Sequence, residues 1–276
     1  MKQISILGCG WLGLPLAKSL LEKGYSVKGS TTSMDKISEL KNARITPFNI
    51  NLREDNIEGE MDLFLLNSEF LIIDIPPKLR GDLKDTSTAL GMTFVGKIQT
   101  LVPFIEKSSV EKVLFISSTS VYADDILTAF SVTEETRPFP DSESGKQLLA
   151  AERLLQSNPN FSTTIIRFGG LIGVDRHPIQ FLAGRKNIEN PQSPINLIHQ
   201  EDCIGIIEKV IQTDSWNETF NAVAPFHPTR RDYYTQKAIE LNLSLPEFND
   251  SKSSVGKKIV STKMEQILGY TFKKEL

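Results

Sequence analysis

A short apolar run, Ile4-Ser5-Ile6-Leu7, passes directly into Gly8-Cys9-Gly10-Trp11-Leu12-Gly13, and this junction restricts the fold more than any other stretch of the chain. The glycine spacing is G-x-G-x-x-G. The first glycine permits a tight turn, the second lets a backbone approach a diphosphate, and the third lets helix and strand pack closely. A bare match to this pattern is weak; its context gives it weight. Apolar residues then recur at Leu12, Pro15-Leu16, Leu20 and Leu21 and stop at Gly24, which predicts a helix over 11–23 with a glycine cap. Pro15 falls in its first turn, where a missing N–H costs little. A diphosphate placed here would rest on the N–H groups that open this helix.

The alternation continues. Strands are predicted over 25–29, 44–48 and 70–75, the last closed by Pro76-Pro77. Further strands are expected over 112–117 and 162–167. Between them, helices are expected over 34–42, capped by Ser33, over about 89–107 with Pro103 inside, and over 144–156. Strands separated by helices imply a parallel sheet covered on both faces, and right-handed crossovers make it doubly wound. The predicted fold class is therefore α/β, a doubly wound Rossmann sheet with a small C-terminal substrate lobe.

After Arg167 the pattern loosens, and residues 168–200 are rich in Gly, Pro, Asn and Gln. A helix from Asp202, its predicted N-cap, through Val210 and a strand at 219–221 complete the sheet; two more helices are expected over 230–241 and 262–268. The expected division is a dinucleotide-binding domain of residues 1–167 with 201–221, and a small substrate lobe of 168–200 and 222–276.

Sites selective for NAD usually carry a carboxylate at the end of the second strand, to hold the ribose 2′-OH. Here that stretch is Gly29-Ser30-Thr31-Thr32-Ser33, flanked by Lys28 and Lys36. Hydroxyls without a carboxylate favour NADP over NAD. The candidate cofactor contacts are Gly8, Gly10, Trp11, Leu12, Gly13, Ser30, Thr31, Thr32, Ile75, Pro76, Pro77 and Ser117.

The formal net charge is −3 with both signs interleaved, so no basic stripe offers itself to nucleic acid. His177, His199 and His227 are scattered without zinc-site spacing, and no metal site is expected. Cys9 and Cys203 read as small buried residues of a reduced, cytoplasmic chain. The stretch before Cys9 is too short for a signal peptide, and no run reaches the roughly 18 apolar residues of a membrane span.

From the glycine loop through Phe115-Ile116-Ser117-Ser118-Thr119-Ser120-Val121-Tyr122, the chain resembles the extended short-chain dehydrogenase/reductases, the NAD(P)-dependent nucleotide-sugar epimerase and dehydratase branch. The resemblance extends to Arg167-Phe168-Gly169-Gly170-Leu171-Ile172-Gly173, to Asn196-Leu197-Ile198-His199-Gln200-Glu201-Asp202, and to Phe220-Asn221-Ala222. It implies a Ser/Thr at Ser118 and a Tyr-x-x-x-Lys pair on the next helix. Aligned on Ala150-Ala151-Glu152, the tyrosine position holds Ser144 and the lysine position Leu148; a second frame gives Ser142 and Lys146. Neither supplies a tyrosine, which makes the chain an atypical member. General acid/base catalysis needs a group of tunable pKa, and a serine hydroxyl is a poor one near neutral pH.

Ser118 and Tyr122 are the candidate catalytic residues, Tyr122 as a stand-in for the missing tyrosine and, against that, as ordinary packing at a strand end. Arg176, Arg185, Arg230 and Arg231 are candidate anion clamps in the small lobe. Asp124-Asp125 and Glu134-Glu135 read as solvated charges. The functional expectation is an oxidoreductase- or epimerase-like enzyme acting with NADP(H) on a small polar or nucleotide-sugar substrate. The competing readings are a non-catalytic NADP(H)-binding sensor or scaffold and a binder of another nucleotide such as S-adenosylmethionine. By resemblance, homodimerisation would use the helices at about 89–107 and 144–156.

Overall fold

The structure, a computed structural model, describes residues 2–77, 94–126 and 131–276. In chain order its main elements are β1 (Gln3–Leu7), α1 (Gly13–Glu22), β2 (Ser26–Thr31), α2 (Lys36–Asn42), β3 (Thr46–Asn49) and β4 (Phe70–Ile73). They continue with α3 (Phe94–Lys107), β5 (Lys112–Ser118), α4 (Glu143–Gln156), β6 (Ser162–Phe168), α5 (Gln200–Thr213), β7 (Thr219–Ala222), α6 (Arg230–Glu240) and α7 (Thr262–Leu268). The part of the expected helix at 89–93 lies outside the described residues. Pro103 sits inside α3 on its exposed side and does not end it.

Among the described residues the central sheet runs β7-β6-β5-β4-β1-β2-β3, with every neighbouring pair parallel. Alternate residues of each strand serve opposite faces. Ile4 and Ile6, Phe70 and Ile72, Leu114 and Ile166 join the core under α1, α2 and α5. Leu7, Leu71 and Ile73, Val113 and Phe115, and Ile165 join the core under α3 and α4. Burial on both faces explains why these strands read as unbroken apolar runs; each such side chain contributes roughly 1.5–3 kcal/mol. Ser5, fully buried in β1, is satisfied by the Phe64 carbonyl at 2.6 Å and the Ser68 hydroxyl at 2.7 Å.

The starts of α2, α4 and α5 each differ from expectation in an informative way. Helix α2 opens after Asp35 without a side-chain cap, because Ser33 joins a turn in which its N–H donates to Thr31 Oγ1 at 3.1 Å. Helix α5 is capped by His199, whose Nδ1 accepts the Glu201 N–H. Asp202 is fully buried and holds the C-terminal tail instead, accepting from the Tyr270 hydroxyl at 2.8 Å and the Lys273 N–H at 2.8 Å. Helix α4 is capped by Ser142 through the Gly145 N–H.

A third, smaller core joins Ile172, Ile179, Leu182, Ile188, Ile195 and Leu197 to Tyr233, Tyr234 and Ala238 of α6. Met264, Leu268 and Tyr270 instead pack with α1 and α5 in the sheet core, while the last residue, Leu276, packs against the smaller one. Residues 255–259 also cross back over the long loop after β5. Val255–Gly256 pairs with Asp125–Ile126, and Lys258–Ile259 with Ser131–Val132. Lys257 between them donates to the Tyr122 carbonyl at 2.6 Å and pairs with Asp124 at 2.9 Å. Glu134 likewise departs from the solvated reading, accepting the Asn221 N–H of edge strand β7 at 2.6 Å.

Candidate functional site

The strand order reverses between β1 and β4, and the ligand crevice of such sheets lies outside the carboxyl ends of the strands at that point. Gly8 leaves β1 with φ +110°, a left-handed conformation, and a Cβ there would stand 2.3 Å from the Asp74 carbonyl oxygen. A Cβ on Gly13 would stand 2.1 Å from the Gly8 oxygen, so the helix enters as close to the strand as backbone allows. Gly10 differs: a Cβ there meets nothing within 4 Å, so that side of the loop is open. The loop is tied to β2, with the Gly8 N–H donating to Ser30 Oγ at 2.9 Å and the Cys9 N–H to the Ser30 carbonyl at 2.7 Å. Leu12, at the N-cap of α1, makes no side-chain cap; within the first turn the Leu14 N–H is taken by the Gly10 carbonyl at 3.1 Å, Pro15 has no N–H, and the Gly13 N–H faces Asp74.

Around this loop lies a cleft of about 230 Å³. Leu7 to Gly10 form one wall, Ser30, Thr31, Thr32, Ser33 and Lys36 a second, Ile50 to Leu52 a third, and Asp74, Ile75 and Pro76 the base; Phe94 and Lys97 of α3 close it. Burial pushes the Asp74 carboxyl up to about 8, with the Gly13 N–H drawing it back down. Burial, and then the Asp74 charge, push the Cys9 thiol up to about 12, leaving it inert.

Of the predicted cofactor contacts, Gly8, Gly10, Ser30, Thr31, Thr32, Ile75 and Pro76 line this cleft, while Trp11, Leu12 and Gly13 form the turn into α1 beside it. Pro77 is not among its lining residues. Ser117 is turned the other way: it is 5% exposed and donates to Glu152 Oε1 at 2.5 Å. Sequence reasoning missed Ile50, Asn51, Leu52, Phe94 and Lys97. The three after β3 were findable from topology, since every loop leaving the carboxyl edge of such a sheet faces the crevice.

No protein-family profile matches the chain. Protein YeeZ of Escherichia coli (strain K12) is 33% identical over 275 residues, covering 99% of this chain and 96% of that protein. The chain belongs to the YeeZ family. Solved structures share the fold of this YeeZ-family chain at lower identity. UDP-glucose 4-epimerase from Thermotoga maritima, with UDP-glucose, superposes with TM-score 0.81 at 16% identity, covering 99% of this chain and 94% of that one. MoeE5 in complex with UDP-glucose and NAD gives 0.79 at 18%, with 99% and 94% covered. A functionally unknown conserved protein from Silicibacter pomeroyi DSS gives 0.74 at 20%, also with 99% and 94% covered. The chain shares the Rossmann-like α/β fold of these structures.

In this YeeZ-family chain the side chains at the predicted catalytic positions point to different tasks. Ser118 ends β5 half-exposed, and its Oγ accepts the Ser120 N–H at 3.1 Å, capping the short turn Thr119–Val121. Tyr122 follows that turn and is 3% exposed. Its hydroxyl donates to Asn221 Oδ1 at 3.0 Å and accepts from Arg167 at 2.6 Å. That is the packing alternative, not a group facing the cleft. Burial raises its pKa although Arg167 opposes this, so it is a weaker acid than free tyrosine. The α4 N-terminus presses on the turn after β5: a Cβ on Gly145 would lie 2.2 Å from the Ser120 oxygen. Ser144 is therefore half-exposed beside the Ser118 turn, Leu148 is buried in the sheet core, and Lys146 is exposed.

Asp175 and Arg176 meet the glycine loop at Trp11. Its indole donates to Asp175 Oδ1 at 2.8 Å, and the Arg176 guanidinium lies over the ring at 5.0 Å. Gln200 holds the Trp11 carbonyl at 2.6 Å. Of the other predicted clamps, Arg231 pairs with Asp250 at 2.6 Å, and Arg230 donates to the Glu189 carbonyl at 3.3 Å. Among the described residues no group of three or more metal-ligating side chains occurs, and no helix is long and apolar enough to cross a membrane.

Proposed function

We propose that the cleft between β1 and β4 holds NADP(H), and that the chain is an oxidoreductase- or epimerase-like enzyme for a small polar or nucleotide-sugar substrate. The observation that carries the cofactor assignment is the wall built from Ser30, Thr31, Thr32, Ser33 and Lys36. It presents hydroxyls and a cation where an NAD site presents a carboxylate, and so suits a 2′-phosphate. The open side of Gly10, on the turn that leads into α1, suits the diphosphate. The bound nicotinamide would supply hydride transfer. By the family resemblance, Ser118 at the end of β5 and Ser144 on α4 stand at the positions of its catalytic Ser/Thr and Tyr in this reading. The small core around Ile179 and Tyr233 serves as the substrate lobe, joined to the cofactor loop through Trp11. That MoeE5 is described in complex with UDP-glucose and NAD supports the substrate class.

Calorimetric titration with NADPH, NADP, NADH, NAD and S-adenosylmethionine tests the cofactor. The expected order places NADPH or NADP tightest; absence of heat and of thermal shift with all of them overturns the reading. Turnover with NADPH across a panel of carbonyl and nucleotide-sugar substrates then tests the chemistry.

The second reading, a non-catalytic NADP(H) sensor or scaffold, is favoured by Ser144 and Leu148 in place of a Tyr and Lys and by the buried hydroxyl of Tyr122. Tight cofactor binding without turnover, with a partner retained in one redox state of the cofactor and released in the other, would select it.

A further inference from the structure

Asp74 is an unusual residue to find at the base of a cleft read as a diphosphate site. It follows β4, its N–H is fixed to the Leu7 carbonyl at 2.9 Å, and its carboxyl is turned beneath the glycine loop. One carboxyl oxygen lies 3.1 Å from the point where a Cβ on Gly13 would stand, and the Gly13 N–H is directed at it. An ionised carboxylate in that corner competes with a diphosphate twice. It occupies one first-turn amide of α1, and it places a negative charge against another in a partly dehydrated pocket. A neutral carboxyl does neither and offers an O–H to a phosphate oxygen.

We propose that Asp74 makes dinucleotide binding proton-linked: its carboxyl carries a proton, taken from solvent, whenever the diphosphate is seated on the glycine loop. This rests on the cofactor reading given above. The balance is simple, one carboxylate and one solvent proton giving one carboxylic acid, with no bond to the cofactor formed or broken. Among the described residues, the titratable and charged groups around this corner include Cys9 of the loop, Cys203 of α5, Lys36 of α2 and Lys97 of α3. Burial pushes Cys9 to about 12 and Cys203 well above an ordinary thiol, so neither thiol changes charge near pH 8. Asp74 itself is pushed up by burial to about 8, so that it is largely protonated at neutral pH and loses its proton in mildly alkaline solution.

The sign follows. Binding selects the protonated form, so affinity is flat below about pH 8 and falls as pH rises through it, approaching tenfold per unit. The test is calorimetric titration of the intact protein with NADPH from about pH 7 to 9.5, a window above the second ionisation of a phosphate monoester near 6. Two buffers of different ionisation enthalpy at each pH report the protons taken up. For the native chain the expected result is a Kd about thirtyfold weaker at the upper end, with close to one proton taken up per cofactor near pH 9. Asp74→Asn, which mimics the neutral carboxyl, is expected to bind with no uptake and to keep its neutral-pH affinity across the range. Native binding with no proton uptake overturns the proposal without any variant. A folded Asp74→Asn protein whose profile follows the native one overturns it equally. No binding of NADPH at any pH instead removes the cofactor reading, which keeps the two failures distinct.

Discussion

Arg167 and Glu152 form a two-pronged ion pair inside the sheet domain, Nε to Oε1 at 3.0 Å and a terminal nitrogen to Oε2 at 2.6 Å, with side chains 7% and 1% exposed. The pair fixes α4 to β6, and Ser117 and Tyr122 of the strand-end segment hang their hydroxyls on it. Removing one partner leaves a buried charge unmatched. Glu152→Ala is expected to cost about 3–5 kcal/mol in urea unfolding, whereas replacing both residues with apolar ones of similar volume costs far less. If Glu152→Ala costs under about 1 kcal/mol, the pair is not an anchor.

Tyr122→Phe separates a structural from a chemical role. The hydroxyl satisfies Asn221 and Arg167 in a buried network, so its loss is expected to destabilise by about 1–3 kcal/mol while leaving cofactor affinity and any turnover intact. A folded Tyr122→Phe protein that binds NADPH but has lost its turnover would restore Tyr122 as a catalytic group.

The glycines of the loop predict opposite phenotypes. Gly10→Ala adds a methyl into open space and is expected to leave thermal stability within about 0.5 kcal/mol while weakening dinucleotide binding at least tenfold. Gly13→Ala drives its Cβ into the Gly8 carbonyl and is expected to lower Tm with or without ligand. Equal effects of the two on Tm would remove the distinction.

Cofactor choice is expected to sit on the β2 end. Lys36→Ala should weaken NADPH by roughly tenfold and leave NADH nearly unchanged, since only the former carries a 2′-phosphate. Equal loss for both would place Lys36 away from that phosphate.

His177 accepts the Ile179 N–H on Nδ1 at 3.1 Å, which puts its ring proton on Nε2 facing the Tyr233 hydroxyl at 2.9 Å. Burial, then Lys237, lower its pKa below the usual 6.5, and burial does the same for His227. The folded state therefore resists protonation that the unfolded chain accepts, and stability should decline as pH falls through about 6.5. His177→Asn is expected to flatten that decline in a denaturant series at pH 5.5 to 7.5. An unchanged slope would show that the ring titrates as it does in the unfolded chain.

The sequence by itself determined the parallel sheet and the loop that opens it. Four-residue apolar strands, helices with period 3.6 and the three glycines are local signals, and each demands the same answer from its own few residues. It also placed most of the cleft wall, because the ends of β1, β2 and β4 lie next to recognisable strands. What it left to the tertiary structure are relations between distant residues. Lys257 reaching Tyr122 and Asp124, Asp202 holding Lys273, and Glu152 meeting Arg167 across α4 and β6 carry no periodicity at either end. The side to which a hydroxyl turns, Ser117 inward and Ser118 outward, follows from strand alternation only once the sheet's neighbours are known. Asp74 shows the limit most plainly: the sequence marks it as the end of a strand at the carboxyl edge of the sheet, and only the glycine loop more than sixty residues earlier, packed against it, sets the surroundings that raise its pKa.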